Sequence, residues 1–398
     1  MEAITSAEHS PAWTKLGLQF NPFTYLDAAE DPNLPRYLIQ DEGSRLAVNG
    51  TPAFIFAPPG GGKTALRVSA LRSCWSTPEI YHSFPVQYVL HQRFDPRQSP
   101  PSSHEHRAKL IEAIGSDLLL SLGYRPELFL ALPLAQQREL ARLIQAALPW
   151  PIAHCLSTMS RPNGVWELSA SMDRGYWLPD PPAADDLRAL RRALESALAT
   201  TPSIRVELDD LLFALTHFLP FRQVIILVDG VDGFLNTHDN APQAYAWIAE
   251  LLALASEWRE RKVNLQGFLP SKLEDLVSGD PYVAGARYRI ERLTWSSARL
   301  EEVLQRRVWI ASGQQFESLD WVAAPDLEDV ERQIVESVAP LPREAIFLAD
   351  KLLRAFAARA GQKKDKLRRA DLLGAIQHYR ASAPHANVHR TSQLRRNA

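Results

Sequence analysis

Only two cysteines occur in the 398 residues, Cys74 and Cys155. They stand far apart and form neither a C-x-x-C pair nor a disulfide framework, which excludes a stapled fold and a zinc or redox role and leaves both as reduced thiols. No apolar run approaches the roughly 20 residues that a membrane-spanning helix requires, so no membrane association is expected. Charge of one sign is lacking too. The 44 basic and 46 acidic residues leave a formal net charge of −2, which argues against a surface that holds nucleic acid by charge alone. Met1 to Pro11 contains no basic stretch followed by an apolar one, the pattern of a secretory signal, and the cytoplasm is the expected compartment. No internal repeat of solenoid or propeller period occurs.

What is present is an ordinary globular composition, 46% hydrophobic and 23% charged, in a chain long enough for two or three compact units. Five short apolar runs read as strands: Ala53–Phe56, Val86–His91, Val224–Val228, Val263–Phe268 and Tyr288–Leu293. Helical periodicity separates them, so the expected fold class is α/β, a parallel sheet covered on both faces. Between the second and third strands lies a long segment, about residues 97–220, with helical patterns at His104–Gly123, Pro126–Leu148, Ala184–Leu198 and Glu207–Leu219. Within it, Pro96–Ser103 and Trp150–Pro182 read as irregular, the latter carrying Trp150, Trp166 and Trp177 as anchors to the core. After Leu293 the chain turns helical, at Ala298–Ser312, Leu327–Val338, Pro342–Ala360 and Arg369–Tyr379. The expected division is a core over residues 1–297 including the insertion, a helical lid domain over 298–381, and a basic, unstructured tail over 382–398.

One segment carries chemistry directly: Ala57-Pro58-Pro59-Gly60-Gly61-Gly62-Lys63-Thr64, placed between the first strand and a helix expected over Thr64–Ser73. A glycine-rich loop between strand and helix turns backbone N–H groups around a phosphate chain. Pro59, Gly60, Gly61, Gly62, Lys63 and Thr64 are therefore candidate phosphate-binding residues, with Lys63 reaching the β and γ phosphates and the Thr64 hydroxyl ligating Mg²⁺. A nucleoside triphosphate follows as the expected ligand. A loop of this kind needs an acid to hold its metal, and the apolar strand ending at Val228 supplies Asp229 at the sheet's carboxyl edge. Asp232, three residues on, is the nearest carboxylate that can orient a water for hydrolysis. Its alternative is to hydrogen-bond backbone in the turn closed by Gly233. His104-Glu105-His106 places its imidazoles at i and i+2, on different sides of a helix, and does not read as a metal site.

The loop Ala57–Thr64 together with Ile225-Ile226-Leu227-Val228-Asp229-Gly230-Val231-Asp232, with an extra strand between them, resembles the P-loop ATPases of the AAA+/STAND group. The Asp-Gly-x-Asp ending is more similar to the STAND branch than to AAA+ motors, which carry Asp-Glu. Phe20-Asn21-Pro22-Phe23 with the stretch to Leu38, and Pro342-Arg343, are similar to features of bacterial relatives. The resemblance implies that Arg343 is the lid arginine called sensor 2, which contacts the γ phosphate. It implies a sensor-1 residue on the Val263 strand, with Asn264 and Ser271 both available, and an arginine finger, for which Arg287 and Arg289 are candidates set against plain surface arginines.

The expectation is an ATP-binding and ATP-hydrolysing switch or motor in which ATP and Mg²⁺ close the lid on the core, through Lys63, Asp229, Asp232 and Arg343. The alternative is a nucleotide-stabilised binding module with little hydrolysis, which the absence of a Glu after Asp229 permits. A small-molecule kinase is disfavoured, since no second substrate site is legible. The object implied by the resemblance is a partner protein or DNA, engaged through the insertion or the basic end (Lys363, Lys364, Lys366, Arg368, Arg369, Arg380, Arg390, Arg395, Arg396), in an assembly of copies of the chain. For the basic end, a solvated helix face with a frayed tail is the competing reading.

Overall fold

The five short runs pair as one sheet, and the first three of them are rich in β-branched and aromatic residues. A computed structural model of the protein describes residues 11–39, 52–76, 82–95, 97–172, 182–199, 205–234, 237, 240–258, 261–286, 288–359 and 365–382. Its strands are β1 (Ala53–Ala57), β2 (Ser83–Val89), β3 (Gln223–Asp229), β4 (Val263–Pro270) and β5 (Arg289–Arg292). All pairings are parallel, in the order β2-β3-β4-β1-β5. The α/β fold class expected from the sequence is the one observed, with helices inserted between β2 and β3 and a helical stretch after β5.

β1 and β2 are buried at every position, as strands covered on both faces must be. β2 begins three residues earlier than its apolar run and ends at Val89, so His91 lies beyond the strand, in a helical turn over Leu90–Arg93. Pro85 within β2 is tolerated because this strand is at the sheet edge. The exposed side of that edge is answered in part by the buried Asp117, whose carboxylate accepts the Gln87 N–H at 2.8 Å.

The longer helices of this unit are α1 (Lys63–Ser76), α2 (Ser103–Tyr124), α3 (Leu134–Ala147), α4 (Ile152–Met159), α5 (Gly164–Ser171), α6 (Ala184–Leu198), α7 (Leu208–His217) and α8 (Ala241–Trp258). α2 starts on a capping box between Ser102 and Glu105, which satisfies its first N–H groups and ends the Pro/Ser-rich connection. The single helix expected over Pro126–Leu148 is interrupted: a turn over Glu127–Leu130 precedes α3, with Pro133 at the α3 N-cap. Proline fits a helix start but has no N–H to continue one.

A second correction concerns Trp150–Pro182, expected to be irregular. α4 and α5 occupy much of it, α4 opening just after Pro151 and burying Ile152, Cys155, Leu156 and Met159 at helical spacing. The prolines that suggested a loop mark helix starts instead. Trp166 lies on α5 and Trp150 is partly exposed, while Trp177 falls outside the described residues.

The described chain divides into two compact units. One holds the sheet and spans Gln40–Pro59 and Lys63–Arg292; the other comprises the described residues of Met1–Ile39, Gly60–Gly62 and Leu293–Ala398. The second unit contains α9 (Ser297–Ala311), α10 (Val330–Glu336), α11 (Pro342–Arg359) and α12 (Arg369–Ser382). The N-terminal segment, expected with the core, belongs here. Asn21 of the Phe-Asn-Pro-Phe stretch donates from Nδ2 to Asp350 of α11 at 2.8 Å. Buried Arg307 of α9 donates to the Pro22 carbonyl at 2.8 Å, pairs with Asp31 at 3.2 Å and lies over the Tyr37 ring. These polar contacts tie residues 11–39 to the C-terminal helices.

Candidate nucleotide site

In a parallel sheet all carboxyl ends lie along one edge, and here they deliver the candidate residues. β1 ends at Ala57 and leads into the loop; β3 ends at Asp229; β2 ends at Val89, directly opposite Asp229 in register. In the sheet β4 lies between β1 and β3, while in sequence the strand between the two motifs is β2.

In the sheet unit Lys63 opens α1 with its side chain buried. Its Nζ donates to the carbonyls of Ala57 and Pro58, each at 3.2 Å, and pairs with Asp232 Oδ2 at 3.0 Å. An ammonium has three donors, and these three partners match them. Thr64 donates from Oγ1 to Asp229 Oδ2 at 3.0 Å. The same oxygen accepts from Arg67 Nε at 3.0 Å, while Asp229 Oδ1 accepts the Gly230 N–H at 2.7 Å. Arg67, 3% exposed, also donates from its guanidinium to Gln87 Oε1 of β2. Both cations of this cluster are therefore matched by carboxylates, Lys63 by Asp232 and Arg67 by Asp229.

Asp232, for which orienting water and capping backbone in the turn were both open, has its carboxylate against the Lys63 ammonium. The turn that carries it, a 3₁₀ helix over Val231–Gly233, starts from Gly230 at φ +78°. A side chain at that φ is strained. A Cβ there would also overlap the imidazole of His91 and meet Val89 Cγ1 at 2.9 Å. His91 Nδ1 lies 3.2 Å from the Gly230 carbonyl.

In the second unit, Gly60 and Gly62 adopt φ of +79° and +96°, the left-handed conformation that turns successive N–H groups into a concave nest. Trp295 Nε1 donates to the Gly61 carbonyl at 2.8 Å. Arg343, exposed at the second position of α11, donates its backbone N–H to the Gly60 carbonyl at 3.3 Å, and its side-chain carbons lie against Gly60.

The remaining candidates separate by position. Asn264 is the second residue of β4, at the amino end, where its Nδ2 donates to Gln223 Oε1 at 2.8 Å. Ser271 follows the last residue of β4 and is thus at the carboxyl edge. Arg289 pairs with Glu291 at 2.7 Å on β5, and Arg287 lies outside the described residues. Of the basic end, Lys366 donates to the Ala323 carbonyl at 3.2 Å and Arg368 pairs with Asp365 at 3.3 Å, while Lys363, Lys364, Arg390, Arg395 and Arg396 lie outside the described residues.

Arg67, Gln87 and His91 are site residues that the sequence reading missed. Arg67 stands four after Lys63 and three after Thr64, a spacing that sets all three on one helix face. The paired glycines 230 and 233 were the trace left by His91.

The oxygens at the site suit Mg²⁺. Thr64 Oγ1 and Asp229 are hard donors already within 3.0 Å of each other, and among the described residues no cluster of three or more His, Cys, Asp or Glu side chains could hold a metal alone. That is the donor set expected for an ion held by one or two protein ligands together with substrate phosphates.

No protein-family model matches the chain, and no curated protein does. Among solved structures, that of the Aeropyrum pernix Orc1 protein in complex with DNA is similar over 90% of this chain and 70% of that one, at 15% identity and a TM-score of 0.45, too low to bear on function. Among the described residues no helix is long and apolar enough to cross a membrane.

Proposed function

We propose that the protein is a P-loop ATPase of the AAA+/STAND type, an ATP-binding and ATP-hydrolysing switch that acts on a partner protein or DNA. The observation that carries this reading is the meeting of Thr64 and Asp229, 165 positions apart in sequence, at 3.0 Å on the carboxyl edge beside Lys63. A chance match to a loop motif has no reason to bring its hydroxyl to a buried aspartate at the end of another strand.

The residues divide the work as follows. Phosphate oxygens replace the Ala57 and Pro58 carbonyls as partners of Lys63, which keeps Asp232 beside it, and the N–H groups of Gly60–Gly62 line the phosphate chain. Thr64 and Asp229 hold Mg²⁺, which when bound neutralises phosphate charge. Arg67 holds Asp229 in orientation through its 3.0 Å hydrogen bond. Arg343, whose backbone is already bonded to the loop at Gly60, reaches the γ phosphate and reports whether it is present. Electrostatic positioning of this kind is the main protein contribution to phosphoryl transfer.

The test is equilibrium binding of ATP and ADP with Mg²⁺, together with steady-state phosphate release in the presence and absence of duplex DNA. The reading expects micromolar or tighter binding and measurable release, and Arg343→Ala should weaken ATP binding more than ADP binding. Equal effects of that substitution on the two nucleotides would remove Arg343 from the γ-phosphate role.

A further inference from the structure

We infer that His91 is the group that orients and deprotonates the attacking water, in the place where other ATPases of this build carry a carboxylate after the metal-binding aspartate. The inference deepens the ATP-hydrolysis reading and rests on it.

Three observations within the sheet unit lead there. First, the acid nearest the site after Asp229 is engaged: Asp232 faces the Lys63 ammonium at 3.0 Å, and a carboxylate held by a cation is a poor base. Second, position 230 carries no side chain, and the volume such a side chain would take is filled by the His91 ring. Gly233 repeats the pattern, since a Cβ there would stand 2.5 Å from His91 Nδ1. The two glycines flank Asp232 and present bare backbone to one imidazole, so the turn is shaped around His91. Third, the ring's tautomer is determined. A carbonyl only accepts, so the contact of Nδ1 with the Gly230 carbonyl at 3.2 Å requires Nδ1–H to donate. In the neutral ring that leaves Nε2 with a lone pair, the arrangement of a general base steadied by a backbone carbonyl. Among the described residues this is the ring's one hydrogen bond.

The position fits the task. Val89 lies opposite Asp229, and His91 follows it by two residues in the helical turn at the carboxyl edge. In the step, a water oxygen forms the bond to the γ-phosphorus as the bond to the β–γ bridging oxygen breaks. The electron pair leaves with ADP, and His91 Nε2 takes the water proton, which it returns to solvent.

The test uses His91→Asn, because an asparagine amide placed near Nδ1 keeps the donor to the Gly230 carbonyl while removing the base. At saturating ATP the turnover of this variant should fall by about 10²- to 10⁴-fold, the usual share of a general base, with ATP affinity within about threefold of wild type as expected for a loss confined to the transition state. Asp232→Asn should differ in kind, shifting nucleotide affinity because it releases Lys63. Gly230→Ala, which displaces the ring, should lose turnover like His91→Asn, and the double variant should lose no more than either. Wild-type turnover in His91→Asn overturns the inference. Tight ATP binding by wild type without phosphate release also overturns it while sparing the nucleotide-binding reading, whereas absence of ATP binding removes both.

Discussion

Removing the Arg67 guanidinium should cost the protein several kilocalories, because it strands a buried anion. Asp229 is 4% exposed and Arg67 3% exposed, with Nε and Oδ2 at 3.0 Å. Two unit charges about 4 Å apart at an effective dielectric of about 20 attract by about 4 kcal/mol. Breaking a buried pair from one side typically costs about 3–5 kcal/mol, since the remaining charge stays desolvated. Thr64 and the Gly230 N–H still donate to Asp229 and soften that penalty, so Arg67→Met should lose about 3 kcal/mol in urea denaturation followed by circular dichroism. In a unit of this size that corresponds to a fall in melting temperature on the order of 10 °C. Combining it with Asp229→Asn removes both charges and should restore most of the loss, giving a coupling energy of at least about 2 kcal/mol in the double-mutant cycle. The reasoning fails if Arg67→Met costs under about 1 kcal/mol, or if the double variant is as unstable as the single one.

Two further outcomes follow from burial. The fully buried His106 bonds through Nδ1 to the Tyr88 hydroxyl at 2.8 Å, and burial pushes its pKa down from 6.5 to about 4. The unfolded chain therefore takes up a proton near pH 6.5 that the folded one refuses, and stability should fall by up to about 1.4 kcal/mol per pH unit between about 6.5 and 4. His106→Gln should flatten that limb in acid denaturation, and an unaltered limb would count against it. The Cys74 thiol, buried and pushed up to about 12, should resist a disulfide-exchange reagent in the native protein at pH 8 and react once urea unfolds it; immediate native reaction would contradict this.

Most of the sheet was legible because its strands are covered on both faces and so read as unbroken apolar runs. Val224–Val228 became β3 with one residue added at each end. The errors came where local chemistry had two uses. Pro133 and Pro151 punctuate helices by starting them, yet in sequence they resemble loop formers. Thr64 and Asp229 were legible as residues of two motifs expected to share a Mg²⁺, but their direct contact shows only in the folded sheet. Arg67 was not legible, since an arginine on a helix is ordinarily solvated and only the folded sheet shows which face α1 buries. His91 was hidden by its context: the apolar run before it extended the expected strand over it, whereas the chain bends into a helical turn at Leu90. The long-range pairing of Asn21 with Asp350 could not be read at all, because nothing in local pattern connects the two ends of the chain.

The central claim is that the loop ending in Lys63 and Thr64 holds the phosphates of ATP. Titration calorimetry of ATP into wild type and Lys63→Ala, with Mg²⁺ present and a melting curve confirming that the variant is folded, tests it most directly. The account predicts saturable one-to-one binding to wild type and loss of at least about 100-fold in affinity on removing the ammonium, in line with truncating one partner of a buried charge contact. Equal affinity in the two proteins, or no heat of binding to wild type, would contradict it.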